Sequence, residues 1–65
     1  MNHLIFTFLD GKPDGETVNV IYQDVSRYFK LGNVRIEEHL DDLVDAGQLK
    51  QFYVNGSLRY AMNTQ

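Results

Sequence analysis

The sequence predicts an α+β domain of three helices followed by a two-stranded β-hairpin, and two adjacent patterns predict it. Gly47 separates them, a residue that suits the left-handed position after a last helical turn. After it, the dipeptide Asn55-Gly56 between two apolar runs indicates a hairpin with a type I′ turn. Before it, apolar residues recur at the spacing i, i+4, i+7 and i+8, which places them on one stripe of a helix. They are Ile36, Leu40, Leu43 and Val44.

The two-residue loop fixes which residues of the hairpin lie opposite one another. With Val54 opposite Ser57, every further pair of the two strands follows. Alternate pairs share a face, so one face of the hairpin is apolar, and we expect it to cover the preceding helix. The residues of this face are Leu49, Tyr53, Leu58, Tyr60 and Met62.

The first helix is predicted over residues 3–9, although the aromatic and β-branched residues there also suit a strand. In a helix, most of the apolar side chains gather on one side, whereas Phe6 falls off that side. Residues 10–15 contain the turn-forming residues of a loop, including Pro13.

The second helix is predicted over residues 17–31, where apolar residues again follow helical spacing and form one stripe. They are Val18, Ile21, Tyr22, Val25 and Phe29. Thr17 or Asn19 could cap its start. Gly32 and Asn33 break the pattern before the third helix begins at Val34, so the last two helices form a helix-turn-helix unit.

Size and composition limit what the chain can be. With 65 residues it forms one domain, near the lower size limit for a chain that folds without help. It has no cysteine, so neither disulfides nor thiolate metal sites contribute. No apolar run could span a membrane, and we expect a soluble, cytoplasmic protein. Nine acidic against six basic residues give a net charge of -3, which is unusual for a protein that binds nucleic acid.

The chain resembles a known family over about two-thirds of its length. The run DVSRYFKLGNVRIEEHLDDLVDAGQL resembles the helix-turn-helix core of winged-helix DNA-binding domains, and QFYVNGSLRYAM resembles their β-hairpin wing. The resemblance implies a winged helix-turn-helix domain of a small prokaryotic or viral transcription regulator, which binds duplex DNA with helix three and the wing, as a dimer. The residues that carry it are Val25, Ser26, Phe29, Leu31, Ile36, His39, Leu40, Leu43, Ala46 and Gly47.

Five of the six basic residues lie at positions where this family contacts DNA. In the hairpin register, Lys50, Phe52 and Arg59 share the outward face, where an aromatic ring beside cations suits a contact with the phosphate backbone. The competing interpretation is a solvated surface on which Phe52 packs against the aliphatic part of Arg59. The predicted DNA contacts are Arg27, Lys30, Asn33, Arg35, Lys50, Phe52, Asn55 and Arg59.

The third helix carries a run of carboxylates that departs from the family pattern, because carboxylates repel phosphates. Three interpretations stay open: a solvated helix face, a docking surface for a basic partner protein, and a mimic of DNA. The second defines an alternative function, a winged-helix interaction module that docks a partner through this helix without binding DNA. The residues are Glu37, Glu38, Asp41, Asp42 and Asp45.

The remaining candidate residues predict little chemistry. Phe6 is predicted to make a dimer contact, with ordinary core packing as the competing interpretation. The spacing of His3 and His39 does not suggest a metal site. Without a glycine-rich phosphate loop or a nucleophile paired with a base, the chain is predicted not to be an enzyme and to need no cofactor.

Overall fold

The computed structural model describes residues 1–63 and folds them into three helices and a three-stranded antiparallel sheet. This confirms the α+β class and the three helices, while the sheet has one strand more than the predicted hairpin. The elements in chain order are α1 (Asn2–Leu9), β1 (Glu16–Thr17), α2 (Val18–Val25), α3 (Asn33–Asp45), β2 (Leu49–Val54) and β3 (Ser57–Met62).

The second helix is shorter at both ends than the predicted span of 17–31. Thr17 is extended and pairs with Arg59 in the sheet, so the helix begins one residue later. At the other end, α2 stops at Val25 and the chain continues in turns, in which the backbone N–H of Tyr28 donates to the Val25 carbonyl at 3.0 Å. Phe29, predicted to lie on the buried stripe of this helix, is therefore exposed.

The predicted register of the hairpin is confirmed at all six pairs, from Leu49 opposite Met62 to Val54 opposite Ser57. The turn residues Asn55 and Gly56 both have positive φ, 51° and 82°, as a type I′ turn requires.

The apolar face of the hairpin covers the core except at its tip. Leu49 and Tyr60 are buried, and Leu58 and Met62 are half-buried against the core. Tyr53 was predicted to share this burial, but it is 73% exposed. On this face of β2 it is the residue nearest the turn.

Strand β1 is the element that the sequence analysis missed, since it lies in a segment predicted as a loop and the start of a helix. Its two residues pair with β3, which makes β3 the central strand in the order β1-β3-β2. The Arg59 guanidinium reinforces this pairing, because it donates to the carbonyl of Gly15 at 3.0 Å and to Glu16 Oε1 at 3.3 Å.

One hydrophobic core joins all three helices to the sheet, and each helix buries residues at helical spacing. Its buried residues are Ile5, Leu9, Ile21, Val25, Ile36, Leu40, Leu43, Leu49, Tyr60 and Ala61. Tyr60 is the largest of them, and its hydroxyl donates to Asp41 Oδ1 at 2.6 Å. The Tyr60 hydroxyl, at the edge of the core, therefore has a hydrogen-bond partner, as is usual for buried polar groups.

Gly15 lies where the chain comes closest to the central strand. A Cβ atom at this position would lie 2.0 Å from the Tyr60 carbonyl oxygen, and its φ of +63° is itself unfavourable for other residues. Glycine is thus required here by both space and backbone conformation.

We expect Gly15→Ala to destabilise the domain by about 2–5 kcal/mol, because left-handed strain and a collision with β3 combine. Gly11→Ala is the matched control, since Gly11 has a φ of +77° but nothing within 4 Å of an added Cβ. It should cost only about 1–2 kcal/mol. Urea unfolding followed by circular dichroism measures both, and equal losses would contradict the close approach.

The buried Tyr60 should make stability fall at alkaline pH. Burial, reinforced by the hydrogen bond to Asp41, raises the pKa of Tyr60 above its ordinary value. Below about pH 10 the phenol is neutral in both the folded and unfolded states. Above that pH the unfolded chain loses a proton that the folded chain keeps, so stability declines by up to about 1.4 kcal/mol per pH unit.

Urea unfolding between pH 8 and pH 11 tests this dependence. Tyr60→Phe should reduce the alkaline decline, at a cost of about 1 kcal/mol at pH 8 for the lost hydrogen bond. Tyr53→Phe, at an exposed ring, should leave the decline unchanged. An identical decline in wild type and Tyr60→Phe would rule out Tyr60 as its source.

Candidate nucleic-acid interface

Half of the basic residues of the chain lie in the connection between α2 and α3 and in the first turn of α3. Arg27 and Lys30 are exposed in the connection, and Arg35 is exposed in the first turn of α3. No carboxylate occurs between residues 26 and 36, so this segment carries a net charge of +3 within a chain of net charge -3. We call residues 26–35 the cationic turn.

Exposed apolar side chains alternate with these cations. Tyr28 is 66% exposed and Val34 is 68% exposed, and Phe29 lies between Tyr28 and Lys30 in the sequence. Exposed aromatic rings beside cations suit contact with sugars and base edges as well as with phosphates. Tyr28 was absent from the predicted site, although its position between Arg27 and Phe29 was a signal that could have found it.

The first turn of α3 adds a favourable backbone environment for an anion. Gly32 is the N-cap residue in an extended conformation, and no side-chain cap is bonded there. The amide groups of an uncapped first turn, together with the helix dipole, attract negative charge. Asn33, a predicted DNA contact, instead donates its side-chain amide to Asn19 Oδ1 at 3.1 Å and so connects α3 to α2.

The remainder of α3 has the opposite charge. Residues 37–45 contain five carboxylates and no Lys or Arg. Four of the five are exposed and Glu37 is half-buried. The helix is therefore bipolar, with its cationic residue at the uncapped N-terminal end and its carboxylates along the following two turns.

Two shallow hollows flank α3 on either side of the carboxylates. One, of about 530 Å³, lies towards the start of α1 and includes Arg35 together with Glu38 and Asp42. The other, of about 340 Å³, lies between α3 and the hairpin and includes Glu37 and Asp45. Arg35 thus shares this hollow with two carboxylates of its own helix.

The predicted contacts on the hairpin have partners within the domain. The Lys50 ammonium lies 5.9 Å from the centre of the Phe52 ring, and both residues are half-buried. Arg59 is 26% exposed and forms an ion pair with Glu16. Of the predicted hairpin contacts, Asn55 in the turn is exposed.

Two further candidates have clear places in the fold. Phe6 is half-buried, with one part packed against the core, and its role as a dimer contact stays a prediction. His39 is hydrogen-bonded to Asn2 at the start of α1. Within residues 1–63, no group of three or more histidine or acidic side chains could hold a metal ion.

In the part of the chain that the structure describes, no helix has the length and apolarity needed to cross a membrane. Comparisons with protein-family models, with curated proteins and with solved structures found no match.

Proposed function

We propose that this chain is a small winged-helix regulator of transcription that binds duplex DNA. The order of its elements supports the proposal, since two helices joined by a short connection are followed directly by a β-hairpin. The cationic turn lies within that helix-turn-helix unit, and the hairpin is the candidate wing.

The observation that carries the proposal is the cationic turn itself. An acidic chain confines three of its six bases to one segment free of carboxylates. Contacts between cations and phosphates supply most of the non-specific affinity for DNA. A local cationic surface serves this purpose even when the net charge of the protein is negative.

The charge distribution also favours one mode of approach. If α3 lay lengthwise against DNA, its carboxylates would face phosphates and repel them. We therefore propose that α3 points its N-terminal end at the duplex, so that the uncapped amides and Arg35 meet phosphates or base edges. Arg27 and Lys30 then contact the adjacent backbone, and Tyr28 and Val34 supply apolar contacts.

The hairpin is proposed as a second, weaker contact. Lys50 and Asn55 are its best candidates, because a contact through Arg59 would compete with the ion pair to Glu16. Binding as a dimer to two half-sites completes the proposal, with Phe6 contributing only through its exposed part.

Salt titration tests the cationic turn. Duplex binding should weaken as salt increases, and Arg27→Ala and Lys30→Ala should each lower the slope of log affinity against log salt by about 1. Lys12→Ala is the matched control, because it removes the same charge from a lysine that caps the Phe8 carbonyl at 2.6 Å. Fluorescence polarisation with a random duplex pool measures all four proteins.

Three outcomes of that titration would contradict the proposal. They are no binding to any duplex at low salt, binding without salt dependence, and an equal change of slope for Lys12→Ala and the two variants in the cationic turn.

A second experiment assigns sequence reading to Arg35. Using a sequence selected from a random pool, Arg35→Ala should reduce the preference for that sequence by about 1–3 kcal/mol. Lys50→Ala should weaken binding to selected and random duplexes by the same factor. Arg59→Ala should do the same after its affinity is corrected for the fraction of protein that is folded. Equal losses on selected and random DNA for Arg35→Ala would reject base reading by this residue.

A further inference from the structure

The groove between α3 and the hairpin is lined by apolar, amide and acidic side chains. Its apolar lining residues, which we call its floor, are Val44, Leu58 and Tyr60, and its polar lining residues are Glu37, Asp41, Asp45 and Gln51. Its volume of about 340 Å³ lies at the lower end of the range for small-molecule sites and is sufficient for a long side chain of a bound segment. We call it the α3–hairpin groove.

The carboxylates of this groove differ in how far they are already engaged. Asp41 accepts the hydrogen bond of the Tyr60 hydroxyl. Glu37 and Asp45 form no hydrogen bond or ion pair with residues 1–63. Both can therefore accept hydrogen bonds from a cation that enters from outside.

An exposed aromatic ring extends the groove towards the hairpin tip. Tyr53 lies directly opposite Leu58 in the register and on the same face of the sheet. Residues so paired have Cβ atoms about 4.5–5.5 Å apart, so the Tyr53 ring adjoins the groove floor. Tyr53 is 73% exposed, although it lies on the face of the hairpin that packs against the core.

We propose that the α3–hairpin groove binds an arginine-bearing extended segment of a partner protein. The aliphatic part of one arginine packs on Val44 and Leu58, and its guanidinium bonds to Glu37 and Asp45. A neighbouring arginine of the segment stacks on Tyr53.

The chemistry of the groove selects this occupant. A planar guanidinium pairs with carboxylates through two parallel hydrogen bonds and stacks on aromatic rings, neither of which a lysine ammonium does as well. The apolar floor favours a side chain with a long aliphatic part over a hydrated small cation. Nucleic acid is excluded because three carboxylates would face its phosphates. The groove does not include the cationic turn, so this inference does not depend on the proposed function.

The test is binding of a fluorescent peptide in which arginine and leucine alternate, measured by polarisation. Its partner probe is the same peptide with lysine for arginine, and spermidine serves as a competitor of small size. We expect the arginine peptide to bind more tightly than the lysine peptide. Tyr53→Ala should weaken binding of the arginine peptide more than binding of the lysine peptide, because a guanidinium also stacks on an aromatic ring.

A matched pair of double variants separates the groove from general acidity. Glu37→Gln with Asp45→Asn should weaken the arginine peptide about fivefold or more, because two partly exposed ion pairs are lost. Glu38→Gln with Asp42→Asn removes the same charge from the other side of α3 and should change the affinity by less than about twofold. Circular dichroism confirms that each variant is folded, and all these substitutions lie outside the buried core.

Several results would overturn the inference. Equal weakening by both double variants would show a diffuse acidic field rather than a site. Displacement by spermidine at the same charge concentration as the arginine peptide would show a site for small cations. Self-association of the protein that only the groove double variant abolishes would identify a second copy as the occupant. Failure of the arginine peptide to bind would also refute it, whatever the outcome of the duplex titration.

Discussion

The contact of the segment around Gly15 with strand β3 is the constraint on which the rest of the structure depends. Gly15 approaches the Tyr60 backbone more closely than any side chain would allow, and Arg59 holds the Gly15 carbonyl and the Glu16 carboxylate from the neighbouring position. Together they place β1 on the central strand. Because α2 begins directly after β1, the same contact determines where the second helix starts and how it meets the core.

Helix α3 has three features: a buried apolar stripe, a cation near its N-terminal end and a run of carboxylates after it. Its apolar stripe is buried, with Ile36 and Leu40 fully inaccessible to solvent. The rest of the helix surface carries the charged residues. The cation lies at the N-terminal end and the carboxylates follow it. A helix with this distribution presents one surface suited to phosphates and another suited to cations, which is the physical basis for two separate proposals about what it binds.

The hairpin shows why a shared face does not imply shared burial. Leu49 and Tyr53 on β2 and Tyr60 on β3 lie on the same face of the hairpin. Leu49 and Tyr60 are nevertheless buried, whereas Tyr53 is exposed. The pleat determines on which side a residue lies, whereas the extent of the packed helices determines how much of that side is covered. The uncovered end of the hairpin is consequently available for binding.

Features that depend on neighbours a few residues apart could be predicted from the order of the amino acids. The stripe of α3, the turn at Asn55-Gly56 and the complete hairpin register follow from local spacing. The position of the cationic residues around α3 follows equally from the order of the chain. These predictions needed no knowledge of how distant segments meet.

Features that depend on contacts between distant segments became visible only in the folded chain. Strand β1 is two residues long and shows no periodicity, and it forms by pairing with β3, where Arg59 also binds the carbonyl of Gly15, 44 positions earlier. The early end of α2, the exposure of Tyr53 and the pairing of Arg59 with Glu16 likewise depend on which surfaces the core covers. Local propensity is weak compared with packing in so small a domain, so no local pattern could have revealed them.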